Sequence, residues 1–277
     1  MTSHSHGFYA RSSRSDRSGL RGSGRTAVPH PFDEASVAGV PVAVTTMDRA
    51  VEWLQDWTER RRGGIDVRLV NAYSVVAMHE DHDYLALARR SGVSFPDGAP
   101  VAAVLRLLRG RRDARRVRGP SFFTASFDRS AGTGVGEFLL GTTEDTLTGI
   151  ERAAAVRWPE LKIAGAWAPP FQEQVDADYV ALCRDRIAAS GADRVWIALG
   201  TPKQDRLAER LAQELQMPCI GVGAAFDFVA GNKREAPELL QRLGVEWLHR
   251  LLTEPRRLWR RYLLGNLQFL WLVVRHR

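Results

Sequence analysis

From Val37 onward, short apolar runs alternate with longer amphipathic stretches. The runs VRLV (67–70), VSF (93–95), EFLLG (137–141), LKIAG (161–165), RVWIALG (194–200) and CIGVG (219–223) are short and apolar, as buried strands are. Between them, apolar positions recur at helical spacing over 74–90, 99–109, 144–157, 174–189 and 203–216. Such alternation predicts βαβ units around a mostly parallel sheet, an α/β core with flanking helices.

Both ends depart from the pattern. Residues 1–36 are rich in Ser, Arg and Gly and have no hydrophobic period, so they bury too little to offset the entropy of ordering, and a disordered tail is expected. The core occupies 37–235 as one domain. Residues 236–252 follow as a single amphipathic helix, and Thr253, Glu254 and Pro255 look like a helix restart. Arg256, Arg257, Arg260 and Arg261 then share one end of a helix whose later part, Leu263 to Val274, is apolar around most of its circumference. That run is too short to span a bilayer, which takes about 20 residues. Cations beside Trp, Tyr and Leu suit a helix lying among anionic headgroups, so 236–277 reads as a helical, membrane-proximal appendage. A last helix packed on the core is the competing reading.

Composition adds limits. An apolar fraction of 44% and a charged fraction of 26% belong to an ordinary globular chain, which excludes global disorder and a multi-span membrane protein. Lys and Arg outnumber Asp and Glu by 39 to 32, a net charge of +7, so an acidic partner is expected: nucleic acid, a nucleotide diphosphate or an anionic membrane. Cys183 and Cys219 have no His or Cys at ligand spacing, which argues against zinc and against a disulfide framework, and a reducing cytoplasm is expected. With no N-terminal apolar segment, no secretory signal is expected.

Open α/β sheets bind ligands beyond the carboxyl ends of their strands, which gathers Asn71, Asp97, Gly141, Gly200 and Gly223 on one edge. Asn71 has two readings, an amide offered to a sugar or phosphate and an N-cap for the helix after it. Asp97, in FPDGAP, is either a turn residue or a carboxylate held for chemistry. In LGTPKQD, Thr201 as N-cap, Pro202 and Gln204 suggest a capping box, and the same turn would bring Lys203 and the Gln204 amide to the edge. GVGAAFD breaks the dinucleotide fingerprint after its second glycine, so an NAD site is weak, and no Ser or Cys nucleophile is arranged with a His.

In order along the chain stand VNAYSVV, FPDGAP, RVRGPSFF, FLLGTTE, WAPPF, LGTPKQD, VGAAFDFVAG and GVEWLHRLLTEPRRLWRRY. This succession resembles the WecG/TagA/CpsF glycosyltransferase family over Val37 to Tyr262. The resemblance implies a Rossmann-like core with a C-terminal appendage, and no metal or other cofactor. It implies transfer of an N-acetylhexosamine, N-acetylmannosamine or its uronic acid, from a UDP-sugar to N-acetylglucosamine on undecaprenyl diphosphate, for teichoic acid, capsule or related polysaccharides. Its setting would be cytoplasmic, peripheral on the inner face of the cell membrane, with no nucleic acid partner; a homo-oligomer stays open. Asp97 takes the role of general base, Asn71 and Gln204 match donor-site positions, and Arg250, Arg257 and Arg260 match appendage arginines that close over the site. Leu69 stands where the family often has threonine, Asp205 where it often has glutamate, and Glu235 where an arginine commonly precedes Ala-Pro, which leaves the donor sugar open. The alternative from another class is a non-catalytic basic protein binding membrane or nucleic acid.

Overall fold

The computed structural model describes residues 30–253, 259 and 264–276. All six expected strands are present: β3 (Ile65–Val70), β4 (Val93–Pro96), β5 (Gly136–Gly141), β6 (Lys162–Trp167), β7 (Arg194–Ala198) and β8 (Pro218–Gly221). They form one sheet in the order β4-β3-β8-β7-β5-β6, and every neighbouring pair is parallel. The fold is therefore α/β and Rossmann-like.

A hairpin of β1 (Glu34–Val37) and β2 (Val40–Ala43) stands apart from this sheet. It begins inside the stretch expected to be tail, and Phe32, just before it, is buried against Trp53 and Phe95. Order thus starts earlier than composition suggested, because this aromatic side chain has a core to enter. The rest of the expected tail, residues 1–29, lies outside the described residues.

Helices α1 (Met47–Glu59), α2 (Ala72–Glu80), α3 (His82–Arg90), α4 (Ala99–Ala103), α5 (Gly119–Ser130), α6 (Glu144–Arg157), α7 (Ala177–Ala188), α8 (Lys203–Leu215) and α9 (Ala225–Val229) connect and flank the strands. The helix expected over 74–90 is two helices. Asp81 divides them: its backbone leaves the helical region, and its carboxylate caps α3 by accepting from Tyr84 N at 3.0 Å. The stretch 99–109 is α4 followed by a π-helical turn, Val104–Leu108.

Two of the strand runs open on a charged residue, and the register explains it. Glu137 of β5 lies opposite Arg194 of β7. Both side chains are fully buried; Arg194 Nε donates to Glu137 Oε2 at 2.6 Å, and Trp196 Nε1 donates to the same oxygen at 2.7 Å. A buried charge pair is tolerable when its remaining hydrogen-bonding groups are also satisfied, as these are by Gln55 and the Ser126 carbonyl.

The appendage also differs from expectation. Instead of one helix over 236–252 there are α10 (Glu238–Leu243) and α11 (Glu246–Thr253), broken at Gly244. Gly244 has φ +73°, and a Cβ there would come within 2.5 Å of the Ala99 Cβ, so only glycine fits this turn against α4. Helix α12 (Gly265–Arg275) buries Phe269, Leu272 and Val273 in a cluster with Val75, Val76 and Val101. Its opposite side leaves Leu267, Leu270, Trp271 and Val274 exposed. Among the described residues, no helix is long and apolar enough to cross a membrane.

Candidate active site

The carboxyl ends of β3, β4, β5, β7 and β8 border a cavity of about 370 Å³. Its wall includes Asn71 after β3, Asp97 after β4, Thr142 after β5, Gly200 after β7 and Gly223 after β8, one edge of one sheet as the strand pattern required. Asn71 and Asp97 are side by side because Val70 and Pro96 pair in register.

Asn71 takes up the N-cap role expected of it. Its Oδ1 accepts from Ser74 N at 3.1 Å and Ser74 Oγ accepts from Asn71 N at 3.4 Å, which caps α2. With Oδ1 committed to the cap, Nδ2 is turned towards Asp97 and donates to its Oδ2 at 3.4 Å. The other oxygen, Oδ1, accepts from Gly119 N at 2.8 Å at the start of α5, and Asp97 N donates to Val70 O at 2.9 Å. Both the backbone and the carboxylate of Asp97 are fixed, and Oδ2, on the longer bond, keeps the more available lone pair.

Gln204 is buried and also lines the cavity. The capping box expected around it is not formed: α8 has Pro202 as its N-cap and no side-chain cap. Its Oε1 accepts instead from Gly200 N at 3.1 Å. The side chain lies so close to β8 that a Cβ on Gly221 would meet Gln204 Nε2 at 3.0 Å and Asp205 Oδ1 at 2.7 Å. Lys203, expected at the same edge, points elsewhere. Its ammonium donates to the Gln172 carbonyl and sits 4.7 Å over the Tyr179 ring, where burial lowers its pKa.

Arg250 lies on α11, one helical turn beyond Glu246. Arg257 and Arg260 lie outside the described residues. Among the described residues, the cations that line the cavity are Arg118, Lys233 and Arg234, which the sequence patterns do not single out. Lys233 pairs with Asp227 at 2.7 Å. Arg118 is buried and contacts Glu235 at 2.7 Å and Glu246 at 2.8 Å; the second is a charge contact whose Nε is not aligned as a hydrogen bond. Arg116 donates to Glu246 Oε1 at 3.2 Å and to the Gln241 carbonyl at 3.0 Å. Two arginines near Asp97 thus grip one carboxylate of the appendage. The readable signal was the pair of arginines directly before the Gly-Pro that opens α5, in RVRGPSFF, and the lone glutamate of GVEWLH.

Cys183 and Cys219 are buried free thiols whose pKa values burial raises, to about 12 for Cys183. Among the described residues, no three His, Cys, Asp or Glu gather as metal ligands would.

Residues 35–277 match the glycosyl transferase WecG/TagA/CpsF family. The chain belongs to that family. It is also 27% identical over 229 residues, 82% of this chain and 86% of its relative, to the N-acetylglucosaminyldiphosphoundecaprenol N-acetyl-beta-D-mannosaminyltransferase of Bacillus subtilis (strain 168). For this WecG/TagA/CpsF glycosyltransferase, the cavity at the sheet edge, with a fixed carboxylate and facing cations, is the candidate site of sugar transfer.

Proposed function

We propose that the protein transfers N-acetylmannosamine or a close N-acetylhexosamine from a UDP-sugar to a hydroxyl of N-acetylglucosamine carried on a polyprenyl diphosphate. The observation that carries this reading is the Asp97 carboxylate, held by Gly119 N and Asn71 Nδ2 on the wall of a cavity that also presents Arg118, Lys233 and Arg234. In the proposed step Asp97 takes the proton of the acceptor hydroxyl as its oxygen bonds to the anomeric carbon. The bond from that carbon to the diphosphate breaks, and its electron pair leaves with UDP, whose charge faces the three cations. Arg250, Arg257 and Arg260 are assigned to closing over that diphosphate, and Gln204 to the donor. A single base acting on the acceptor gives direct displacement, so the anomeric configuration inverts.

The reaction is assigned to the inner face of the cell membrane, with the protein peripheral on an anionic surface. The exposed Leu267, Leu270, Trp271 and Val274 of α12, with Arg275 over the Trp271 ring at 4.9 Å, support that placement. The test is UDP release from a panel of UDP-sugars with a prenyl-diphosphate-linked N-acetylglucosamine, with and without EDTA. Turnover is expected with an N-acetylmannosamine donor and to survive EDTA. Asp97→Asn should lower kcat by roughly 10²–10⁴-fold while UDP affinity by calorimetry stays close to wild type. An Asp97→Asn enzyme that keeps its rate rules this base out.

A further inference from the structure

A second hollow of about 110 Å³ adjoins the main cavity, and Asn71, Tyr73, Asp97 and Glu246 line both. Its wall also includes Pro100 of α4, Arg116, Trp247 of α11 and Asn266 of α12. Asp97 therefore stands on the partition between two chambers of different chemistry. The larger carries Arg118, Lys233 and Arg234, with Asp227 and Glu246 among their partners, beside glycine-rich strand ends; the smaller adds Trp247, Pro100 and Arg116, which is paired with Glu246.

We propose that the smaller chamber is the acceptor subsite, which holds the sugar ring of the lipid-linked acceptor with Trp247 as its stacking platform. This rests on the transferase reading above. In a direct displacement the attacking oxygen and the departing diphosphate lie on opposite sides of the anomeric carbon. The diphosphate belongs with the cations of the larger chamber, so the hydroxyl must reach Asp97 from the other side, through the smaller one. Trp247 and Tyr73 line the chamber, and aromatic rings are groups against which the C–H faces of a sugar ring pack, beside a few polar groups that orient it. Trp247 directly follows Glu246, which Arg116 and Arg118 grip, so its place beside Asp97 is set by ion pairs to the core.

The exit of the chamber fits a lipid-linked molecule. Asn266 borders it in the first turn of α12, and the exposed row Leu267, Leu270, Trp271 and Val274 continues along the same helix. A sugar in the chamber can run its diphosphate-linked prenyl chain out along that row.

Steady-state kinetics with each substrate varied in turn test the assignment. Trp247→Ala is expected to raise KM for the prenyl-diphosphate acceptor by about tenfold or more, while the Kd for UDP stays within about twofold of wild type. Trp247→Phe, which keeps a ring, should recover most of the loss. Should Trp247→Ala fail to fold, Asn266→Trp, at the half-buried chamber mouth, should raise acceptor KM with UDP binding kept. An unchanged acceptor KM, or equal weakening of UDP and acceptor, overturns the subsite. Wild-type protein that releases no UDP from any donor overturns the transferase reading itself, a separate and distinguishable outcome.

Discussion

Asp205 is enclosed beside the cavity at the sheet edge, with Oδ2 accepting from the Tyr84 hydroxyl and Oδ1 without a hydrogen-bond partner among the described residues. Burial pushes its pKa up to about 6, against the opposing pull of Tyr84 and Arg68. Because the folded value lies above the ordinary 3.8, the folded state binds this proton more tightly than the unfolded chain does. The associated stability is fully present below the unfolded value and is lost as pH rises through about 6. Asp205→Asn keeps an acceptor for Tyr84 and removes the charge. It should therefore gain on the order of 3 kcal/mol over wild type at pH ~8 and close to nothing at pH ~4. Urea unfolding at the two pH values measures this, and equal differences at both would exclude the enclosed charge as the cause. Thr142, a β-branched residue on the cavity wall, has φ +61°, a strained backbone of the kind that persists where surrounding structure enforces it.

At the level of elements, the seam between α4 and the turn joining α10 to α11 couples the appendage to the core. Gly244→Val forces a side chain into a left-handed backbone and onto Ala99, at a cost of roughly 1–2 kcal/mol for the backbone alone. It should loosen α10 and α11, so that trypsin cuts there faster than in wild type while the sheet core stays resistant. Unchanged cleavage would show that the turn does not hold the appendage. The same turn marks a limit of sequence reading. Strand runs were legible because parallel strands buried on both faces are nearly continuous apolar segments, and even Glu137 and Arg194 kept their strands since they satisfy each other. Helix breaks were less legible: the apolar period runs through Asp81 and through Gly244, and local cap geometry decides both. The hairpin of β1 and β2, α1 and α5 were not anticipated, although Thr46 caps α1 by accepting from Arg49 N and a Gly-Pro opens α5. Asn71, Asp97 and Gln204 could be placed at one edge from strand ends, whereas Arg118, Lys233 and Arg234 reach it from loops whose paths only tertiary packing sets.

Across the whole molecule, α12 belongs to two environments. The reading of the apolar C-terminal stretch as a helix packed on the core holds for Phe269, Leu272 and Val273, while Leu267, Leu270, Trp271 and Val274 stay outside and are the face proposed for the membrane. Leu267→Glu combined with Leu270→Glu should weaken sedimentation with anionic vesicles by about tenfold or more and leave the melting temperature nearly unchanged. Full vesicle binding by that variant would rule this face out as the membrane contact. A nascent chain cannot complete the apolar cluster that Phe269, Leu272 and Val273 share with Val75, Val76 and Val101 until α12 has emerged from the ribosome. Premature termination upstream of α12 would then release a chain with an open greasy flank, a substrate for proteases rather than a shortened enzyme.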